Sequence, residues 1–345
     1  MTEYRSQSSS NSLLLLVCVA PDRRQVLLAG AVAFAALASI AWGQSRYPIK
    51  PVRLIVPFPP GQATDIYGRI LAQRLSLLWG QQVFVDNRPG GIGVPAMMAA
   101  KVAAADGYTL MMASVATLSI NPVLHADLPY SATRDFVPVS NVVVQPLVLV
   151  AHPKFAPRSI SELVAAAKSN PKKLQYASPG QGTSQHMTAE LFASRAGIEL
   201  EHVPYKGSAP AMIDLIGGHV LLMADSVSSA LPHIKSGKIR AIAVTALQRV
   251  PQLPDIPTIA ESSFPGFEGV GWGGIVLPAG TPSELVERIS ADIQQVLRDP
   301  EVRAEIISRG GIPDPRTPKA FAEFIRAETE KWAKVAKEAH IRVDE

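Results

Sequence analysis

Apolar and polar positions along the chain switch repeatedly between short continuous runs and a spacing of three to four residues. The first such unit is also the most informative. Residues 52–56 (Val-Arg-Leu-Ile-Val) read as a buried strand that runs into the turn Pro59-Pro60-Gly61, which continues neither strand nor helix. Apolar residues then recur at Ile66, Ile70, Leu71, Leu75 and Leu78, the spacing of an amphipathic helix. Either Thr64 or Asp65 is placed to cap that helix. The same alternation predicts strands at 82–85 and 108–113 around a helix at 94–104. An irregular, proline-bearing stretch follows at 114–142, read as loops with one short helix, and then a strand at 147–151. A second series follows: helix 159–169 capped by Ser159, strand 174–177, helix 185–196, strand 200–203, helix 209–216, strand 221–224, helix 231–236 and strand 241–245. A proline-rich crossover at 251–265 leads to an apolar strand at 271–278. Two amphipathic helices close the chain, at 283–308 with a break near Asp299-Pro300, and at 318–340.

Short βα steps of this kind predict parallel strands with helices packed on the sheet. Two series joined by two extended segments, 147–151 and 274–277, predict an α/β protein with two lobes, with the last helices returning to the first lobe. A ligand would then sit between the lobes, at the carboxyl ends of the strands. Each lobe carries the same device: PFPPGQATD in the first and ASPGQGTSQH in the second are both a strand, a Pro-Gly turn, a hydroxyl residue and a helix start. A helix start presents unpaired N–H groups and the positive end of the helix dipole, which attract an anion. Thr64 and Ser184 serve equally as simple helix caps, and a cap leaves other amides free.

The front of the chain follows different rules. Arg23-Arg24 precede the apolar run 26–40, and Ala41-Trp42-Gly43 puts small residues at −3 and −1 of a cut after Gly43. Fifteen residues are short for a membrane anchor, the alternative reading. Residues 1–43 are therefore expected to be a cleaved export signal, with the arginine pair also suiting the twin-arginine type. Met1–Pro21 in front of it suggests a start assigned too far upstream. Removal of 1–43 leaves 30 Lys and Arg against 27 Asp and Glu, a net charge of +3, and takes away the single cysteine, Cys18. The mature chain then has no disulfide, thiol nucleophile or thiolate metal site. Scattered basic residues and 6% aromatics exclude a nucleic-acid signature.

Signatures of catalysis are absent: there is no G-x-S-x-G, no Walker loop and no H-E-x-x-H. The seven histidines have no metal-ligand spacing, and no metal or other cofactor is expected. The segment Gly91-Ile92-Gly93-Val94-Pro95-Ala96 formally fits a dinucleotide pattern, but Pro95 and the missing acidic partner make it a tight turn. His186 beside Ser184 offers a general base on paper. Asp225 at a strand end reads as a ligand or water contact, or as a helix cap.

VRLIVPFPPGQATD, VDNRPGGIG, ASPGQGTSQHMTAELF, HVPYKGSAPAMIDLIGGHV, DSVSSALPHIKSGKIRAIAVT and LPDIPTIAESSFPGFEGVGWGGIVLPAGTP together resemble the solute receptors of tripartite tricarboxylate transporters, the TctC-like or Bug family, from about residue 47 to the end. The resemblance implies a two-lobed Venus-flytrap fold (periplasmic-binding-protein type II-like) with two crossover strands. It implies lobe 1 at 44–148 plus 275–345 and lobe 2 at 149–274. The implied protein is a monomeric periplasmic receptor for a small carboxylate that works with the membrane subunits of such a transporter, or as a sensor. By motif position it nominates Phe58, Gly61, Gln62, Thr64 and Asp65 in one lobe, and Gly180, Gly182, Thr183, Ser184 and Asp225 in the other. Family turns often carry two glycines where this chain has Gly61-Gln62, so Gln62 brings a longer side chain to the cleft. The alternative is a small-molecule hydrolase or isomerase using His186 and Asp225.

Overall fold

The computed structural model describes residues 47–171, 173–338 and 341; the expected export signal at 1–43 and Cys18 lie outside them. The chain divides into Met1–Tyr47 and Pro48–Glu345, and every element below belongs to the second unit. Strand β1 (Val52–Val56) pairs in parallel with β2 (Val83–Asn87) and β3 (Thr109–Ser114). Helix α1 (Ala63–Trp79) lies between β1 and β2, and α2 (Val94–Lys101) between β2 and β3. The Gly91–Gly93 segment is a single tight 3₁₀ turn, as its pattern predicts.

The irregular stretch after β3 departs most from expectation. A π-turn at Ala116–Ile120 and a short helix α3 (Asn121–Leu124) are followed by β4, which runs from Phe136 to Ala151 rather than starting at 147. Prolines normally end a strand. Here Pro138 sits at a register shift, a second shift falls between Asn141 and Val143, and Pro146 stands where the strand changes partners. From Phe136 to Pro146, β4 pairs antiparallel with β9 (Val270–Pro278), which in turn pairs antiparallel with β3. From Leu147 to Ala151, β4 pairs antiparallel with β7 (Leu222–Ser226) and with β8 (Arg240–Val244). This single strand thus carries the sheet from one lobe into the other.

The second lobe adds α4 (Ile160–Ser169), β5 (Gln175–Ser178), α5 (Ser184–Ala196), β6 (Glu201–Pro204) and α6 (Ser208–Gly217), followed by β7, α7 (Val227–Lys235) and β8. Ser159 caps α4 as expected, accepting the Glu162 N–H. Strand β5 pairs in parallel with both β6 and β7. The sheet order is β2-β1-β3-β9-β4-β7-β5-β6, with β8 and the short β10 (Ile312–Pro313) also on β4. The fold is the two-lobed binding-protein architecture.

The tail is α8 (Ser283–Arg298), α9 (Pro300–Ser308) and α10 (Pro318–Glu338). Asp299 both ends α8 and caps α9, accepting the Glu301 and Val302 N–H groups. Helix α8 buries Val286, Ile289, Ile293, Val296 and Leu297, one face at helical spacing. Helix α10 packs against β4 and the π-turn. Its buried stripe, Phe321, Ile325, Glu328, Trp332 and Val335, contains one carboxylate. Glu328 is satisfied there: its Oε2 accepts the indole N–H of Trp272 at 3.1 Å and of Trp332 at 3.2 Å. Trp272, in β9, stands edge-to-face against Phe321. Full burial of each such ring contributes roughly 1.5–3 kcal/mol.

Candidate anion-binding cleft

In the first lobe, β1 delivers the chain into the Pro-Pro-Gly turn, where Gly61 adopts φ +84, a left-handed conformation that costs glycine nothing. Helix α1 starts at Ala63, and its N-cap is Gln62 in an extended conformation with no side-chain cap bond. Thr64 and Asp65, the two expected caps, lie instead inside the first turn. Asp65 works backwards: its carboxylate accepts the Gly61 N–H at 2.9 Å, and also Asn87 Nδ2 at 2.9 Å and the Arg69 guanidinium. It is buried and fully engaged, so its role here is to hold the turn in shape.

In the second lobe the cap of α5 is Thr183, not Ser184. Thr183 Oγ1 accepts the His186 N–H at 3.3 Å and donates to the Gly180 carbonyl at 2.7 Å. Ser184 is the first helical residue. The two helix starts end up in the same state. Among the described residues, the backbone N–H groups of Ala63 and Thr64, and of Ser184 and Gln185, have no hydrogen-bond partner. All four residues line one space between the lobes. The first N–H groups of a helix point outward along its axis with the dipole behind them, so two helices here aim donors at one place.

Phe58, Gln62, Ser114, Val115, Ala116, Gln145, Thr183 and Trp272 complete the wall. Gln62 Oε1 and Gln145 Nε2 are buried there without a partner among the described residues. The Trp272 N–H is held by Glu328, so the indole has no donor left for the space it lines. Gly271 permits the close approach: a Cβ there would lie 3.0 Å from Ser184 Oγ and 3.3 Å from Gln145 Oε1. The lobes touch across the cleft, with Ser229 Oγ donating to the Gly61 carbonyl at 3.3 Å. The enclosed space is about 10 Å³, roughly one water. No ionisable side chain lines it.

Of the ten residues nominated from sequence, Phe58, Gln62, Thr64, Thr183 and Ser184 line the cavity. Gly61, Asp65, Gly180, Gly182 and Asp225 do not line it. Asp225 is fully buried; its Oδ1 accepts Ser208 Oγ at 2.9 Å and the Ser226 N–H at 2.7 Å, while Oδ2 has no hydrogen-bond partner among the described residues. Burial pushes its carboxyl up to about 7. The cap of α7 is Ser226, which accepts the Ser229 N–H. Gly182 gives its N–H to His186 Nδ1 at 3.2 Å. That bond uses the lone pair a general base would need, and burial, with His202 stacked at 4.1 Å, pushes the imidazole down to about 3. His186 and Asp225 both lie outside the cavity wall, and nothing in the arrangement supports the hydrolase reading.

Sequence reasoning missed Ala63, Ser114, Val115, Ala116, Gln145, Gln185 and Trp272 as wall residues. Ser114 ends β3 at its carboxyl end, and Gln185 lies within the ASPGQGTSQH motif, so both carried a signal. Gln145 and Trp272 reach the site through the pairing of β4 with β9, which no local pattern records.

The fold and the cleft define a class: a two-lobed solute receptor. Comparison with known proteins agrees. Residues 67–341 match the tripartite tricarboxylate transporter family receptor. The solved structure of R. palustris Rpa4515 with adipate is 34% identical, with a TM-score of 0.83 over 86% of this chain and 99% of that one. The periplasmic binding protein BugD is 34% identical, with a TM-score of 0.80 over the same shares. MatC (Rpa3494) from Rhodopseudomonas palustris with bound malate is 30% identical, with a TM-score of 0.78 over 84% of this chain and 99% of that one. This chain belongs to the tripartite tricarboxylate transporter receptor family.

Proposed function

We propose that this protein is an exported periplasmic receptor, not an enzyme, that captures a small carboxylate between its lobes and delivers it to the membrane subunits of a tripartite tricarboxylate transporter. One observation carries the reading: four unpartnered backbone amides from two helix starts, one in each lobe, line one space whose wall holds no cationic side chain. A carboxylate there receives charge-assisted hydrogen bonds worth about 1.5–3 kcal/mol each. The adipate and malate bound to the relatives support a dicarboxylate as the ligand.

Phe58, Gln62, Thr64, Thr183 and Ser184 contact the ligand in this reading, together with Ser114, Gln145 and Gln185. Gly61, Asp65, Gly180, Gly182 and Asp225 shape the two turns and the floor behind them. The lobes comprise 44–148 plus 275–345 and 149–274, and the exchange of partners on β4 at Pro146/Leu147 supports the first boundary. The mature chain begins after Gly43.

Native mass spectrometry of protein purified from the periplasm tests the assignment. A released ligand with a carboxylate, unchanged by prolonged incubation, is the expected result. A ligand converted to product, or a cationic one, overturns it.

A further inference from the structure

A second pocket, much larger than the cleft, lies between the segment that follows β3 and the outer side of α10. Its volume is about 640 Å³, within the range of small-molecule sites. Leu118, Pro122, Leu128, Phe136 and Ile325 make its wall predominantly apolar. The π-turn serves both spaces: Ala116 lines the cleft and Leu118 lines this pocket. Such turns recur at functional sites.

Its lining carries two guanidinium groups among neutral hydroxyl residues and one carboxylate. Arg134 and Arg326 both line it, both are exposed, and neither guanidinium makes an ion pair or hydrogen bond among the described residues. His125 also lines the pocket, and its Nε2 is buried without a hydrogen-bond partner. The opposing charges are Glu330, one turn beyond Arg326, and Asp135, which is bonded to Lys101 and lies within electrostatic reach of Arg134. An apolar wall with two unpaired guanidinium groups and one buried unpaired nitrogen has the complementarity of an apolar chain that carries one anionic head.

We propose that this lateral pocket is a second ligand site, distinct from the cleft, that takes a medium-chain carboxylate with its chain on the Leu118, Leu128 and Phe136 wall and its head at Arg134 and Arg326. The apolar wall supplies the affinity and the arginines orient the head. Exposed ion pairs alone are weak, so neither feature suffices without the other.

Decanoate, below its micellar concentration, is the probe. Titration calorimetry of periplasm-purified protein should show one decanoate per chain. The Ser184→Pro variant, altered only at the cleft, should bind it equally. Arg134→Glu with Arg326→Glu should weaken binding at least tenfold, and because both side chains are exposed the variant should fold. Leu128→Trp, which fills the pocket, should weaken it at least as much. The proposal is overturned if decanoate does not bind at 2 mM, if binding survives both the charge reversal and Leu128→Trp, or if Ser184→Pro or excess adipate abolishes it. In the last case decanoate sits in the cleft, and the reading of the cleft stands while the lateral site falls.

Discussion

Ser184→Pro and Ala63→Pro each remove one N–H from the cleft while leaving the helix start almost untouched. Both residues occupy the first helical position, where proline is favoured because that N–H has no intrahelical partner. The residue before a proline must be extended. Thr183 at φ −73, ψ 159 and Gln62 at φ −79, ψ 153 already are. Neither substitution therefore asks the backbone to move. If the amides hold a carboxylate, each loss removes one charge-assisted bond, about 1.5–3 kcal/mol, or roughly a 10- to 150-fold rise in Kd. Ser184→Ala is the control: it removes the hydroxyl, which here donates to Gln185 Oε1 at 3.1 Å, but keeps the N–H. Thr64→Pro is the contrast. Its predecessor Ala63 is helical, so that variant should lose stability as well as affinity. Titration calorimetry with adipate or malate, alongside Tm, reads all four. A proline variant with unchanged Tm and a Kd within twofold of the parent would show that the anion does not sit on that helix start.

Three further outcomes are expected. A space of about 10 Å³ admits no dicarboxylate until its walls separate, so the receptor must cycle between wider and narrower clefts about β4 and the chain entering β9. Small-angle scattering should give a smaller radius of gyration with saturating adipate, and tryptophan fluorescence should change in a way that Trp272→Phe diminishes; superimposable scattering curves would point to a rigid pocket. Asp225 has a folded-state pKa near 7, above its ordinary value of 3.8, so folding takes up a proton between those values and stability declines as pH rises from about 4 to about 7. That decline should be missing from Asp225→Asn in calorimetric melts, and identical pH profiles for the two proteins would refute the shift. N-terminal sequencing of periplasmic protein should begin at Gln44, and a mature chain still carrying residues 26–40 would refute cleavage.

The local grammar of this chain was open to reading without coordinates. Ser159 as a cap, the Asp299-Pro300 break, the tight turn at Gly91–Gly93 and the alternation of strand and helix all depend on interactions within a few residues, which sequence records directly. So did the two Pro-Gly turns with their helix starts, because the residues that force a turn and those that begin a helix adjoin one another. Which residue caps was less legible. Thr64, Asp65 and Ser184 were each suitable by type, but the boundary fell one to three positions earlier because Gln62 and Thr183 are the last extended residues, and the chain's path out of the turn decides that.

Tertiary structure decided the rest. Strand β4 is sixteen residues long despite two internal prolines, because β9 supplies partners on both sides of each register shift. Gln145 and Trp272 reach the cleft, and Asp225 and His186 stay out of it, through pairings of residues far apart in sequence. The Glu328 carboxylate on an otherwise apolar helix stripe makes sense only once two indole N–H groups are brought to it, one of them 56 positions away. Sequence specifies what each residue can bond; only the packing of distant elements decides which of those bonds are satisfied within the protein and which are left for a ligand.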